Sequence, residues 1–492
     1  MFTSNPVSRR TAIRSMGGVL AATVGLGLLA ACGGDTPAAA PTTAPAAAAA
    51  TKPTGAATSA AGAAAPTQAA AAAPTTAAVA PTAAPQSAQA KAGQKVTIWY
   101  GQDYLPTVNE TMQAQLTEYG KAKNVAIDYV VKSGAWGDQL NAGVQAGTPP
   151  DAWHSYDYQC QYWAAQDQAL DVTTMVNKYK SESGGMWDYI TTTVAAKGKV
   201  YAVPIAVNAW PLHVRQDMLD KENGGKWPDT WDEFRTVAKK ITKSPDVYAF
   251  GWTMGKANDA NNHFIAALWT FGGKLQNDDG TFALKANDPA ALAALQLAKD
   301  MYETDKTIPP AVVQWDDGGN NTAYQDGQVA ITSNPTSIYG WLVKNKPDIA
   351  KATTFQTYPK GPAGSFGQVD VWGVTIYKNT KVPEQAQGAL EWMLQPDHHK
   401  QRIIDLAGRF LPVYKGMLDD PLWQQPLYKA YGDIAKTGRI MGFSAPPAKG
   451  YSDFTTRFLI GNMMQDMVVR KQTPQQAYQT FYEAAKGVYS SY

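Results

Sequence analysis

Short strand and helix patterns alternate between residues 95 and 156, and this alternation restricts the fold more than any other feature of the sequence. Apolar residues alternate with polar ones where strands are expected, whereas helix patterns repeat about every 3.6 residues. Because the connections are short, the alternation predicts a parallel α/β sheet, and ligands of such sheets bind beyond the carboxyl ends of the strands. The predicted strands are 95–100, 125–131 and 152–156, and the predicted helices are 107–123 and 135–146.

Helix and strand signals continue to the C-terminus. Capping-box patterns, in which Thr precedes Glu by three residues, predict helix starts at Thr107 and Thr230. The polar run Asn258–Asn262 is expected to cap a helix and not to bind a ligand. Later strands are predicted at 247–253, 327–332 and 369–377, and later helices at 262–271, 288–304, 383–394, 396–406, 451–470 and 474–489.

Residues 8–32 have the pattern of an export signal. Arg9 and Arg10 supply a positive start, and residues 16–31 are uncharged but too few for a membrane span of about 20 residues. Leu29-Ala-Ala-Cys32 resembles a lipobox, and the stretch resembles a twin-arginine lipoprotein signal. Removal of residues 1–31 would leave a lipidated Cys32, with the protein extracytoplasmic and anchored to the cell membrane. Ala12 stands where an aromatic is usual, so the general secretory route stays open, as does an ordinary signal with a chance cysteine.

Residues 32–92 are expected to form a disordered linker behind the lipidated cysteine. The stretch 33–91 is almost entirely Ala, Pro, Thr, Ser and Gly, without periodic large apolar residues that could form a core. Ala favours helix, but recurrent Pro interrupts it. We therefore expect a semi-extended spacer, with a helical stalk as the alternative, and a folded body that spans residues 93–492.

Composition and motifs exclude several classes of function. Lys and Arg number 43 and Asp and Glu 41, a formal net charge of +2 that gives no basis for binding nucleic acid. Only Cys32 and Cys160 are present, so no disulfide framework is expected. The sequence lacks Gly-x-Ser-x-Gly, His-Glu-x-x-His and a glycine-rich phosphate loop. Adjacent His398 and His399 would point about 100° apart on a helix, so the pair is not expected to bind a metal ion. No organic cofactor is expected either.

Several short motifs in the body resemble one family when they are taken in order. These segments are Gly147–Asp151, Tyr201–Leu219, Trp227–Phe234, Asp326–Ala330 and Gly408–Pro412. Together they resemble the extracellular solute-binding proteins of family 1, the maltose-binding-protein-like receptors of ABC importers. The resemblance covers the whole folded body from about Lys95.

This resemblance implies a two-lobed, periplasmic-binding-protein-like α/β fold whose lobes close around a ligand. One lobe would hold residues 93–206 and 336–381 and the other residues 207–335 and 382–492, with Ile205–Trp210 as a hinge crossing. The resemblance also implies a small-molecule sugar ligand, docking on the transmembrane subunits of an ABC permease, a monomeric state and no catalysis.

Side chains that suit a sugar follow the predicted strands. Sugar hydroxyls pair with carboxylates, amides and Arg, and the C–H faces of the ring stack on aromatic side chains. Structural alternatives exist: a solvated loop for residues 100–103, a helix cap for Asp157, and packing for Trp136 and Trp252. The candidate ligand-binding residues are Tyr100, Gln102, Asp103, Trp136, His154, Tyr156, Asp157, Asn208, Trp210, Trp252, Asn334, Asp370, Trp372 and Arg409.

The expected function is binding of a carbohydrate, in particular an oligosaccharide, as the lipid-anchored component of an ABC importer. A secreted glycoside hydrolase is the first alternative, because two carboxylates about 5 to 9.5 Å apart would suit hydrolysis. The second alternative is the same fold with a polyol, a phosphodiester or a polyamine as its ligand. A polyamine would need several carboxylates in the cleft, and a phosphodiester would need Arg or Lys.

Overall fold

The computed structural model describes residues 94–134, 136–406 and 408–491, and of Asp157, Tyr158 and Lys449 it describes the backbone only. The predicted export signal, the lipidated Cys32 and the linker to residue 92 lie outside the described residues, and they stay predictions. No helix in the described ranges combines the length and apolar character that crossing a membrane requires.

Strands and helices alternate through the described body. The strands are β1 Lys95–Gly101, β2 Ala126–Lys132, β3 Ala152–Tyr156, β4 Ala195–Ala196, β5 Lys199–Val200, β6 Val203–Ala209, β7 Leu212–Arg215, β8 Tyr248–Gly251, β9 Val329–Ser333, β10 Thr353–Gln356, β11 Gly367–Ile376 and β12 Gly438–Arg439. The helices are α1 Pro106–Lys123, α2 Trp136–Gln145, α3 Asp157–Ala165, α4 Thr173–Tyr179, α5 Asp188–Thr193, α6 Gln216–Asn223, α7 Trp231–Ile241, α8 Asn258–Thr270, α9 Pro289–Lys299, α10 Gly319–Gln325, α11 Ser337–Asn345, α12 Pro347–Lys351, α13 Pro383–Leu394, α14 Pro396–Asp405, α15 Pro421–Gln424, α16 Pro426–Lys436, α17 Lys449–Thr456, α18 Leu459–Val468 and α19 Pro474–Ser490. A π-helical turn, Asp300–Thr304, extends α9.

The first lobe is built on a six-stranded sheet. Its order is β12-β11-β3-β1-β2, and β6 also pairs with β11. Strand β1 runs parallel to β2 and β3, as the sequence predicts, whereas β11 runs antiparallel to β3 and β6. Parallel strands place their carboxyl ends at one edge, so the segments after β1, β2 and β3 lie close together.

The second lobe contains a four-stranded sheet in the order β10-β7-β9-β8. Strands β8 and β9 are parallel, and the other pairs are antiparallel. Its core brings Phe250 of β8 together with Phe264 of α8, Leu295 of α9, Met464 of α18 and Phe481 of α19. The C-terminal helices therefore complete this core.

Within the described residues, the chain passes between the lobes three times. Strand β6 belongs to the first sheet and β7 to the second, so the first crossing lies at Trp210–Pro211. This position corrects the predicted hinge at Ile205–Trp210, because residues 205–209 lie within β6 and are buried. The chain returns before β11 and leaves again after β12.

The lobe boundaries also differ from the predicted ones. Residues 382–440 are predicted for the second lobe, yet Leu390, Ile403 and Tyr431 belong to the first core. Residues 336–381 are predicted for the first lobe, yet β10 pairs with β7 of the second sheet. The predicted boundaries are wrong here because a helix pattern identifies an apolar face but not the core that covers that face.

Two predicted helix ends are also corrected. Helix α1 begins at Pro106 after Leu105 with no side-chain cap, so the capping box at Thr107 is not formed. The predicted helix 451–470 divides into α17 and α18, because Phe458 between them takes a left-handed φ of 50°. The predicted cap at Thr230 is confirmed, since its hydroxyl accepts a hydrogen bond from the backbone N–H of Glu233 at 3.3 Å.

Candidate functional site

A cavity of about 720 Å³ lies between the two lobes, beyond the carboxyl ends of the parallel strands of both sheets. Its volume falls in the range of about 300–1,000 Å³ that is usual for small-molecule sites. The first lobe contributes the segments after β1 and β2, the last residue of β3, and side chains of β6 and β11. The second lobe contributes the start of α8, the start of α10 and the segment after β9.

Strand β11 positions the most closely paired polar groups of the first wall. Asp370 stands directly opposite Asn208 of β6 in the antiparallel register, so their side chains meet across the strands. Asn208 Nδ2 donates to Asp370 Oδ2 at 3.1 Å, and Trp210 Nε1 donates to the same oxygen at 2.6 Å. Burial raises the pKa of Asp370 to about 6, and the hydrogen bonds from Trp210 and Asn208 partly offset that rise. The other carboxylate oxygen, Oδ1, has no partner among the described residues.

A buried ion pair fixes the loop that follows β1. Arg409 Nη2 donates to Asp103 Oδ2 at 2.8 Å, and Arg409 Nη1 donates to Asn208 Oδ1 at 2.8 Å. The two charged side chains are only 5% and 1% exposed, so the surroundings screen their attraction weakly. The guanidinium also lies over the ring of Phe410, 4.2 Å from its centroid. Asp103 and Arg409 thus form one rigid unit in the wall.

Gly408 allows Arg409 to reach this position. The backbone φ of Gly408 is 80°, a left-handed conformation that residues with a Cβ rarely adopt. A Cβ at this position would also overlap the ring of Tyr428. The motif Gly408–Pro412 therefore places its arginine through a backbone conformation that only glycine supplies easily.

The second wall is polar, and Asn334 is the residue of this wall that the sequence predicted. Helix α8 begins at Asn258 without a side-chain cap from Ala257, and Asp317 caps it from outside. Asp317 Oδ1 accepts from the backbone N–H of Asp259 at 3.0 Å. Asn334 Nδ2 donates to Asp259 Oδ2 at 3.0 Å and to Asn321 Oδ1 at 2.7 Å. Asn258–Asn262 thus faces the cavity. Its position soon after the carboxyl end of β8 is the sequence feature that could have indicated a binding role.

Most of the predicted site residues line the cavity, so the structure brings them together. They come from seven separated segments of the chain, which only the fold makes neighbours. Ligand contact by each of them stays a proposal. The predicted residues in the wall are Gln102, Asp103, Trp136, Tyr156, Asn208, Trp210, Asn334, Asp370, Trp372 and Arg409.

Three predicted residues lie behind the wall instead. The ring of Tyr100 stacks on that of His154 at 4.2 Å, and both side chains are buried. Burial lowers the pKa of His154 to about 3, which keeps the imidazole neutral near pH 7. Trp252 is fully buried in the core of the second lobe, beside Trp231. The side chains of all three residues therefore point into the protein interior and not into the cavity. Of Asp157, only the backbone at the start of α3 is described.

The described lobes touch each other around the cavity. Tyr104 OH lies 3.2 Å from Gln325 Oε1 and 3.1 Å from Gln325 Nε2, across the two lobes. Gln368 Nε2 donates to Asn262 Oδ1 at 2.8 Å, and Thr336 Oγ1 donates to the backbone oxygen of Arg409 at 2.9 Å. These contacts describe a closed arrangement of the lobes.

The cavity combines rings, carboxylates and amides, a set that binds hydroxylated compounds. Trp136, Tyr156, Trp210 and Trp372 offer aromatic surface, and the neighbouring acids and amides offer hydrogen bonds. No cluster of three or more His, Cys, Asp or Glu that could hold a metal ion occurs among the described residues.

Comparison with known proteins identifies related sequences and structures. The sequence model of the family described as bacterial extracellular solute-binding protein matches residues 103–400. A curated protein of Brucella abortus, named as a binding protein, is 24% identical over 332 residues, which cover 61% of this chain and 78% of the relative.

Solved structures share the two-lobed fold. An ABC transporter solute-binding protein of Thermotoga lettingae, bound with α-D-tagatose, matches with a TM-score of 0.70 and 20% identity over 81% of this chain and 100% of its own. Maltose-bound MalE3 of T. maritima matches with a TM-score of 0.69 and 21% identity over 80% of this chain and 100% of its own. These matches confirm the predicted fold class.

Proposed function

The chain belongs to the family of bacterial extracellular solute-binding proteins, and on this premise we propose that it is the binding component of an ABC importer for a carbohydrate, in particular an oligosaccharide. The observation that carries the proposal is the interlobe cavity, in which aromatic rings adjoin carboxylates and amides. Rings stack on the C–H faces of sugars, and the polar groups pair with sugar hydroxyls. The volume of about 720 Å³ leaves room for more than one sugar ring.

Ligand would act by favouring the closed arrangement of the lobes. Wall residues come from both lobes, so a sugar that touches both walls binds the closed form more tightly than an open form. Trp210 at the first crossing and the contact between Tyr104 and Gln325 would both change when the lobes separate. The closed, liganded protein would then dock on the transmembrane subunits of a permease, as a monomer.

We also propose that Cys32 carries the lipid that anchors the protein outside the cytoplasm. The proposal rests on the lipobox-like Leu29–Cys32 and on the signal before it. Anchoring would raise the local concentration of the receptor at its permease. Replacing Cys32 with Ala should abolish incorporation of a labelled fatty acid and release the protein from the membrane. Incorporation that persists in the variant would contradict this assignment.

Binding without catalysis is part of the proposal. Two cavity carboxylates, Asp103 and Asp370, are engaged by Arg409, Asn208 and Trp210 and are held as parts of the wall. Incubation with a panel of oligosaccharides should leave them intact. If shorter sugars are released, and if substitution of these carboxylates abolishes that release, the glycoside hydrolase alternative would be supported instead.

A thermal-shift screen over sugars, polyols and polyamines tests the ligand class. A ligand present at about 100 times its dissociation constant stabilises a protein by about 2.7 kcal/mol, which is readily detected. We expect saccharides to give the largest shifts, and isothermal titration should confirm a single site. Stabilisation by polyamines or polyols alone would overturn the carbohydrate assignment.

A further inference from the structure

The charges of the cavity wall do not balance. Arg409 neutralises Asp103 in the buried ion pair, whereas Lys132 lies over the ring of Trp99 and donates to Gln139. Both cations are therefore engaged within the first lobe. The carboxylates of the wall are Asp103, Asp259, Asp317 and Asp370, and its cations are Lys132 and Arg409.

Two of the carboxylates form the acidic part of the second wall. Asp317 caps the start of α8, which brings its carboxylate next to Asp259. Neither of the two takes part in any ion pair found in the described part of the chain. Burial and then the charge of Asp317 raise the pKa of Asp259 well above its ordinary value. A bound cation would relieve this repulsion.

Asn261 is an independent sign that this wall receives a ligand. Its side chain is 2% exposed and lines the cavity two residues after Asp259. Neither Nδ2 nor Oδ1 has a hydrogen-bond partner among the described residues. A buried amide without partners is rare in folded proteins, because such groups lose their bonds to water. Asn261 can therefore pair with a ligand that supplies both an acceptor and a donor.

We propose that the second wall, formed by Asp259, Asn261 and Asp317, recognises an amino sugar, a saccharide with a positively charged amino group beside a hydroxyl. This inference rests on the proposed carbohydrate function and specifies its ligand class. The ammonium group would donate to the carboxylates and to Asn261 Oδ1, and the neighbouring hydroxyl would accept from Asn261 Nδ2. The aromatic rings of the first wall would stack on the sugar faces.

A neutral sugar fits this wall less well. Its hydroxyls can satisfy Asn261, but they leave the two acidic groups of the second wall without a compensating charge. Hydrogen bonds between an ammonium group and a carboxylate are stronger than those between neutral groups, and more so where water is excluded. The amino form of a sugar should therefore bind more tightly than the hydroxyl form with the same ring.

Matched sugar pairs test the inference with the folded, exported form of the protein. The pairs are glucosamine with glucose, galactosamine with galactose, and the β-1,4-linked glucosamine disaccharide with cellobiose, with spermidine added as a cation without a sugar ring. Isothermal titration gives the dissociation constant of each. In at least one pair we expect the amino sugar to bind at least about tenfold more tightly, the effect of one charge-assisted hydrogen bond.

Substitutions assign the preference to the second wall. Asp259→Asn and Asp317→Asn each keep an acceptor oxygen and remove a carboxyl group that could pair with the ammonium group as a carboxylate, and both should reduce the preference to below about threefold. Asp433→Asn removes the same charge from the exposed surface of α16, where Asp433 pairs with Lys429, and should keep the preference. Thermal melting of each variant without ligand shows whether it is folded.

The outcomes separate this inference from the proposed function. If neutral sugars bind as tightly as their amino counterparts, the carbohydrate function stands and the amino-sugar inference is wrong. If spermidine binds and no sugar does, both are wrong. A preference for the amino sugar that survives in Asp259→Asn and Asp317→Asn would also overturn the assignment to this wall.

Discussion

The indole Nε1 of Trp210 lies 2.6 Å from Oδ2 of Asp370 and donates a hydrogen bond to it. Trp210 stands at the first crossing between the lobes, and Asp370 stands on β11, which pairs with β3, β6 and β12 in the first sheet. The bond therefore ties the hinge region to the ligand cavity, where Asp370 Oδ1 is left without a partner among the described residues. A ligand hydroxyl that donates to Oδ1 would complete the hydrogen bonds of the Asp370 carboxylate.

Ligand affinity should depend on pH through Asp370. A ligand that donates to the carboxylate favours its ionised form, so affinity is full above the pKa of about 6 and falls as pH drops through that value. Isothermal titration between pH 5 and pH 8 measures the profile. Arg409 keeps its charge over this range, whereas Asp259 on the opposite wall also has a raised pKa.

Two variants assign this pH dependence. Asp370→Asn should weaken binding at pH 8 and remove the fall in affinity near pH 6, because the carboxyl group that titrates there is gone. Asp259→Asn should keep the fall in affinity near pH 6 that we assign to Asp370. An unchanged profile in Asp370→Asn would rule this carboxyl out as the group that controls affinity.

Replacing Trp210 with Ala should weaken binding of the strongest ligand. The change removes an aromatic surface from the cavity and a hydrogen bond to a buried carboxyl, so we expect a loss of at least about tenfold, or roughly 1.4 kcal/mol. Trp392→Ala is the control, because this ring stacks on His398 and does not line the cavity. Equal affinity for both variants would exclude Trp210 from the site.

Truncating Arg409 to Ala should destabilise the protein strongly. The change leaves Asp103 buried without its partner, which costs about 3–5 kcal/mol of unfolding free energy in comparable cases. Denaturant unfolding followed by tryptophan fluorescence measures this loss. Lys429→Ala breaks an exposed pair with Asp433 and should cost less than about 1 kcal/mol. Similar losses in both variants would mean that burial does not set the strength of the Arg409 pair.

Gly408→Ala should act through the position of Arg409. The substitution forces a Cβ into a left-handed backbone and against Tyr428, so we expect a loss of more than about 1 kcal/mol in stability together with weaker ligand binding. Gly487→Ala is a control, since a Cβ at this position of α19 would meet no other atom within 4 Å. That control should be neutral or slightly stabilising.

Tyr104→Phe should weaken binding by accelerating ligand release. The hydroxyl is hydrogen-bonded to Gln325 of the other lobe, a bond that separation of the lobes would break, and one such bond contributes about 0.5–1.5 kcal/mol. We expect affinity to fall about two- to tenfold, with the change in the dissociation rate measured by stopped-flow fluorescence. The double variant, Tyr104→Phe with Gln325→Ala, should lose no more affinity than either single variant. Additive losses would show that the two residues act separately.

The sequence predicts the class of fold well and the composition of each lobe poorly. Periodicity places β1, α1, β2, α2 and β3 close to their observed positions, since each has a clear apolar pattern and short connections. The assignment of α13–α16 to the first core depends on contacts between distant segments, which no local pattern records. Prediction therefore succeeds where structure is local.

The same distinction applies to the candidate site. Residues after strands of the first sheet are found at the cavity, because the carboxyl ends of parallel strands share an edge. Trp252 also follows a strand but is buried, because its ring packs against Trp231 and Phe250 in the second core. From the sequence alone, Asn258–Asn262 could equally cap a helix or line a binding site. The structure distinguishes the two, because Asp317 caps the start of α8.

The three crossings also determine when the protein can fold. Strand β11, which joins β3 to β6 and β12 in the first sheet, begins only at Gly367, and the second core needs α19, which ends at Ser490. Contacts between such distant segments form slowly, because long loops must close first. A growing chain on the ribosome therefore has no complete first core before Ile440 has been added, and its second core also needs α19, so most tertiary folding is expected late in synthesis.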